Sequence, residues 1–170
     1  ISSAEKTVLS LIETISVALA DTPQTGAPDE AQPADEPGTH DLAAAAIAGI
    51  GGEILIVDDD PMNRELLSRR LARGGYKSTS VASGREALSL LNTQPFDLVL
   101  LDYMMPEMSG IETLEAIKSA PKIRTTPVIM LSASDAADIM VRCILSGAED
   151  YIAKPFNPVL LIARINAALE

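Results

Sequence analysis

The chain has 170 residues, 47% of them hydrophobic and 22% charged, which is enough apolar material for one domain with a sizeable core plus an appendage. Aromatics make up 3% with no Trp, so that core must be aliphatic, and a net charge of −11 argues against direct binding of nucleic acid, whose phosphates need clustered Lys and Arg. The one cysteine, Cys143, excludes an internal disulfide and sits in "IMVRCILSGA", where a buried thiol acting as a small hydrophobe is the plain reading.

Composition shifts near residue 52. Residues 1–52 carry eight acids against Lys6 alone, a charge of −7, and the remainder carries −4. Residues 3–20, "SAEKTVLSLIETISVALA", predict an amphipathic helix whose Val8, Ile12, Ile15 and Leu19 make a narrow seam. That seam suits packing on its own domain or a dimerisation element. Residues 21–52 read as an acidic, Pro- and Ala-rich linker without the means to build a core, and His40 lies in it. No apolar run approaches the roughly 20 residues that span a bilayer, and no signal peptide is evident, so no membrane and a cytoplasmic location are expected.

From Glu53 the pattern alternates. "EILIV" is a buried-type strand, and "PMNRELLSRRLARGGY" a helix with Pro61 in its first turn, Leu66, Leu67 and Leu71 on one face and Gly74 at its stop. "KSTSVA" is a strand and "SGREALSLLNT" a helix capped by Ser83. "FDLVLLD" is an apolar strand, "SGIETLEAIKSA" a helix, and "TPVIMLS" a fourth strand. "SDAADIMVRCILSGA" is a helix stopped by Gly147, "EDYIAK" a fifth strand, and "NPVLLIARINAAL" a last helix with Asn157 as cap and Pro158 at its first position. Five such units predict an α/β fold, a doubly wound parallel sheet with helices on both faces. Ligands then bind outside the C-terminal ends of the strands.

Those ends carry the chemistry. The first strand runs into Asp58, Asp59 and Asp60, the third ends in Asp102, the fourth in Ser132, and the fifth in Lys154. Asp60, just before Pro61, suits a helix cap. Asp102 does not, because no helix starts until Gly110. Clustered carboxylates repel unless a cation joins them, and Mg²⁺ takes one or two carboxylates together with phosphate oxygens. A carboxylate beside such a cation can act as a nucleophile and become an aspartyl-phosphate. Lys154 can then neutralise one phosphoryl oxygen and the Ser132 hydroxyl can donate a hydrogen bond to another.

"ILIVDDDP", "LVLLDYMMPEMSGIE", "PVIMLSA" and "GAEDYIAKPF", in this order and spacing, resemble the receiver (phosphoacceptor) domain of two-component response regulators. The resemblance covers residues 53–168, in a domain taken as residues 53–170. It implies a flavodoxin-like strand order 2-1-3-4-5 and Asp102 as phosphoacceptor. It implies metal binding by Asp59, Asp102 and the Met104 backbone, with Asp58 assisting through water. It further implies phosphate binding by Ser132, Ala133 and Lys154, a cis Lys154–Pro155 bond, and a switch formed by Ser132 and Tyr151. Mg²⁺, with Mn²⁺ as a substitute, is the implied cofactor. A histidine kinase or phosphotransfer protein is the implied partner. Phosphorylation is then expected to change the surface of the fourth helix, fifth strand and fifth helix and so control an output partner or domain, and a homodimer through that surface or through the N-terminal helix is a further expected partner. The chain is not expected to be an enzyme beyond its own phosphotransfer and dephosphorylation. The closing stretch "GAEDYIAKPFNPVLLIARINAALE" is similar to receivers placed before enzymatic outputs such as nucleotide cyclases or phosphatases, so an output domain outside this chain could be an enzyme.

Two other readings fit less well. A haloacid-dehalogenase-like phosphatase needs a second Asp two residues after its nucleophile, where this chain has Met104. A flavin-binding module needs a Ser/Thr/Gly-rich phosphate loop, where this chain has "DDDPMN". Taken alone, Tyr151 is a half-buried strand aromatic, Met104 and Met105 are filler, and Ser109–Gly110 is a helix start with no separate chemistry.

Overall fold

A computed structural model describes residues 51–170. The helix expected over 3–20, the linker as far as residue 50, and His40 lie outside the described residues.

The elements in chain order are β1 (Glu53–Val57), α1 (Pro61–Arg73), β2 (Lys77–Val81), α2 (Gly84–Thr93) and β3 (Leu98–Asp102), then α3 (Gly110–Ser119), β4 (Val128–Ser132), α4 (Ala137–Leu145), β5 (Asp150–Ala153) and α5 (Pro158–Leu169). The strands are parallel and ordered β2-β1-β3-β4-β5.

Period-two alternation splits the strand side chains between two cores. Leu55, Val57, Val99, Leu101, Val128 and Met130 face α2, α3 and α4 on one side. Ile54, Ile56, Leu98, Leu100, Ile129 and Leu131 face α1 and α5 on the other. Buried on both faces, β1, β3 and β4 must read as continuous apolar runs, and they do. β2, at the sheet edge, tolerates the polar "KSTSV".

Local chemistry sets the helix ends. The Asp60 carboxylate accepts from the Met62 amide, with Pro61 at the first helical position. Ser83 caps α2, Asn157 caps α5, and Ser109 with Glu112 forms a reciprocal capping box on α3. The chain leaves α1 through Gly74 and then Gly75, which has φ of 84°. Leu67 and Leu71 point into the core as expected, but Leu66 is 46% exposed. Adjacent helical residues are about 100° apart, so 67 and 71 share a face that 66 cannot. α4 starts later than its sequence suggested. The Ser134 hydroxyl accepts from the Ala136 amide in a local turn, so the helix begins at Ala137 without a side-chain cap. Cys143 is fully buried among apolar side chains, as expected. Among the described residues no helix is long and apolar enough to cross a membrane.

Candidate functional site

The strand order brings the C-terminal ends of β1, β3, β4 and β5 side by side. Val57 pairs with Leu101, so the next residues, Asp58 and Asp102, stand level on neighbouring strands. Asp102 pairs with Leu131, one residue before Ser132, and the Lys154 amide donates to the Ser132 carbonyl at 2.6 Å. The chain therefore delivers its acids, hydroxyl and ammonium to one rim.

Lys154 Nζ lies 3.1 Å from Asp58 Oδ2 and 3.0 Å from Asp102 Oδ1, bridging the two buried carboxylates. The other oxygen of Asp58, Oδ1, accepts from the Asp60 amide at 2.9 Å. Both Asp58 oxygens are thus engaged. Asp59 is exposed, and its carboxylate takes no hydrogen bond among the described residues; nor does Asp102 Oδ2. One carboxylate oxygen from each of Asp58, Asp59 and Asp102 lies within 4.8 Å of the others. That is the only cluster of this kind among the described residues.

Lys154 pairs with two of the three carboxylates and leaves Asp59 without an ion pair among the described residues. Burial raises the Asp102 carboxyl above its ordinary value, the Lys154 hydrogen bond and charge pull it back, and the Asp58 and Asp59 charges push it up again. Burial lowers Lys154, but the hydrogen bonds and charges of Asp102 and Asp58 outweigh it, so the ammonium is held more firmly than usual. A negative surplus remains, and hard oxygen donors converge on it. This donor set fits a divalent cation such as Mg²⁺.

Ser132 is buried at the end of β4, and its hydroxyl accepts from the Ser134 amide at 3.2 Å. Tyr151 on β5 is buried too. Its hydroxyl donates to the Ser134 carbonyl, and burial raises its pKa. Ala133 is exposed beside the rim, and Met104 is 69% exposed in the loop after β3. The Lys154–Pro155 bond is cis.

Residues 54–166 match the family described as the response regulator receiver domain. The chain belongs to that family. It is 36% identical to the two-component response regulator ORR11 of Oryza sativa over 121 residues, which is 68% of this chain and 82% of that regulator. It is 42% identical to the transcriptional regulatory protein GltR of Pseudomonas aeruginosa over 71% of this chain but only 50% of that protein. Among solved structures, a Francisella response regulator receiver domain superposes with a TM-score of 0.65 at 34% identity, covering 69% of this chain and 96% of that one. The receiver domain of the sensor histidine kinase PA1611 of Pseudomonas aeruginosa, solved with magnesium in its active-site cleft, gives 0.65 at 31% identity, covering 70% and 98%. The receiver is thus a signalling module of two-component systems.

Two residues at this receiver's rim carry no mark in the linear pattern of the role the fold gives them. The sequence marks Gly110 only as part of a helix start, yet a Cβ there would lie 2.1 Å from the Asp102 carbonyl oxygen. The capping box forms as well, so "SG" both starts α3 and lets it pass behind Asp102. Arg64, in the first turn of α1, donates through Nη1 to the Asp58 carbonyl at 2.8 Å and the Asp59 carbonyl at 3.1 Å. A basic residue a few positions after three acids was visible, but nothing in a linear pattern says that it reaches back to their backbone.

Proposed function

We propose that the chain is a phosphorylation switch that takes a phosphoryl group from a histidine kinase or phosphotransfer protein onto Asp102. The observation carrying this reading is Lys154 bridging Asp58 and Asp102 at a rim where the Asp59 carboxylate and Oδ2 of Asp102 take no hydrogen bond among the described residues. An Asp102 oxygen attacks the phosphorus of a phosphohistidine. The new O–P bond forms as the P–N bond breaks, and the imidazole leaves with that electron pair and takes a proton from solvent. Asp59, Asp102 and the Met104 carbonyl would hold Mg²⁺, with Asp58 behind them. The ion supplies charge neutralisation for the phosphoryl oxygens. Lys154, already at Asp102, meets a second oxygen, and the Ser132 hydroxyl with the Ala133 amide meets the third. A cleft of about 390 Å³ between α1 and the β5–α5 connection, floored by Leu67, Pro155 and Phe156, opens beside Lys154 and gives a donor protein access.

The output follows from two buried side chains. Phosphorylation draws Ser132 away from the Ser134 amide, and Tyr151, hydrogen-bonded to the same turn, moves with it. This alters the surface of α4, β5 and α5, where Val141 and Leu145 are 50% and 82% exposed and Arg164 pairs with Asp150 at 2.8 Å. That surface is the proposed site for a second copy or an output partner. The segment over residues 1–20 is the alternative dimerisation element, with 21–52 as its linker.

The test is intact-mass analysis after incubation with acetyl phosphate and Mg²⁺. One added phosphoryl group on the wild type, none on Asp102→Asn, and none on either in EDTA are expected. Equal labelling of Asp102→Asn would contradict the assignment.

A further inference from the structure

Asp58 and Asp59 carry two of the three converging carboxylates, so the path of the backbone between them decides where those carboxylates point. Their amides and side chains are anchored in familiar ways. The Asp58 amide donates to the Val81 carbonyl at 3.3 Å, and the Asp58 carboxylate is held by the Asp60 amide and Lys154. Their carbonyls are anchored differently. Among the described residues, the only hydrogen-bond donor to either is Nη1 of Arg64. One nitrogen forked between two consecutive carbonyls turns both peptide planes toward α1. Arg64 is itself fixed by its place in the first turn, where its amide donates to the Asp60 carbonyl at 3.1 Å. The planar guanidinium is suited to this, because its donors are rigidly placed.

We infer that Arg64 is a positioning residue for the metal site: by clamping the Asp58 and Asp59 carbonyls it aims the Asp59 carboxylate at the position shared with Asp102. This rests on the reading of the rim as a Mg²⁺ site. Partners lying behind metal ligands typically govern affinity by about 10–100-fold.

Charge and position predict opposite signs, which makes the inference testable. A guanidinium beside a cation site repels the cation, so if only its charge mattered, removing it would tighten Mg²⁺ binding. If positioning matters, removing it weakens binding. The experiment titrates the full chain with Mg²⁺ alone, following the backbone amide resonances of residues 58–60 and the heat of binding, for wild type, Arg64→Met and Arg64→Lys. Arg64→Met is expected to raise the Mg²⁺ Kd about tenfold or more. Arg64→Lys, which keeps the charge and a donor but not the fixed fork, should give a smaller rise. A purely structural role would lower the melting temperature without raising Kd. An Arg64→Met Kd equal to or below the wild-type value therefore overturns the inference. If Arg64→Met does not give a dispersed amide spectrum, Arg64→Lys decides, and an unchanged Kd in it is the overturning result. Absence of saturable Mg²⁺ binding by the wild type would instead overturn the reading on which the inference rests.

Discussion

Replacing Asp102 by Asn should stabilise the metal-free protein. At an effective dielectric of about 20, two unit charges within 4.8 Å interact by about 3.5 kcal/mol, which is the repulsion from buried Asp58. Exposed Asp59 sits nearly in water, where the same separation gives about 1 kcal/mol. Lys154 at 3.0 Å returns about 5.5 kcal/mol. The charges thus come close to cancelling. What is left is the cost of taking a carboxylate out of water, several kcal/mol for a buried ion, at a residue only 6% exposed. Asn keeps the shape and drops that cost, so a gain of about 1–2 kcal/mol is expected, the size of a common single stabilising substitution. In thermal melts at pH 7.5 with EDTA this corresponds to about 4–8 °C for a domain of this size. Saturating Mg²⁺ should close or reverse the difference, because only the wild type retains the full ligand set. The pH dependence has a definite sign. The folded-state pKa of Asp102 is raised, so as pH falls through it the wild-type carboxyl takes up a proton in the folded state and the gap closes. An Asp102→Asn protein that melts below the wild type in EDTA at neutral pH would mean that the buried Asp102 carboxylate carries no net cost in the folded state.

Gly110→Ala should cost about 1–3 kcal/mol in urea unfolding, because the new methyl meets the Asp102 carbonyl and the Tyr103 Cα, neither of which can rotate away; a change in midpoint within error would contradict the close approach. Glu107→Gly should stabilise by about 1 kcal/mol in the same assay, since Glu107 holds φ at 64°, a left-handed conformation that costs an L residue about that much. A loss of stability would mean that the Glu107 side chain makes a compensating contact. Lys154→Met leaves two buried carboxylates without their shared cation and should cost about 3 kcal/mol in EDTA. Mg²⁺ should restore part of that loss, and a Mg²⁺-independent deficit would argue that Lys154 acts through packing.

Much of this receiver is legible in its sequence because strand burial on both faces leaves an unbroken apolar run, and each run ends at a polar residue that the sheet then gathers. "LVLLD" could be placed as an interior strand from its four apolar residues alone. The caps at Asp60, Ser83 and Asn157 were equally readable, since each satisfies an orphan amide of the helix that follows. The errors arise where side chains act against local pattern. Leu66 follows the composition of α1 but not its face. Residues 134–136 look helical by continuity, yet the Ser134 hydroxyl closes a turn of its own and delays α4 to Ala137. Arg64 and Gly110 matter through backbone contacts across the fold, to carbonyls at Asp58, Asp59 and Asp102, and carbonyls leave no mark on a sequence. Register supplies what the sequence lacked: only the pairing of Val57 with Leu101 makes Asp58 and Asp102 neighbours.

Asp102, and neither of its acidic neighbours, is the proposed acceptor of the phosphoryl group. The most direct test is reductive trapping. Borohydride converts an aspartyl-phosphate to homoserine, and tandem mass spectrometry of the digested chain then locates the converted residue. Homoserine at position 102 alone, dependent on Mg²⁺ during labelling, is the result expected. Conversion at Asp58 or Asp59, or phosphate retained on a serine or on His40 with Asp102 intact, would contradict the account.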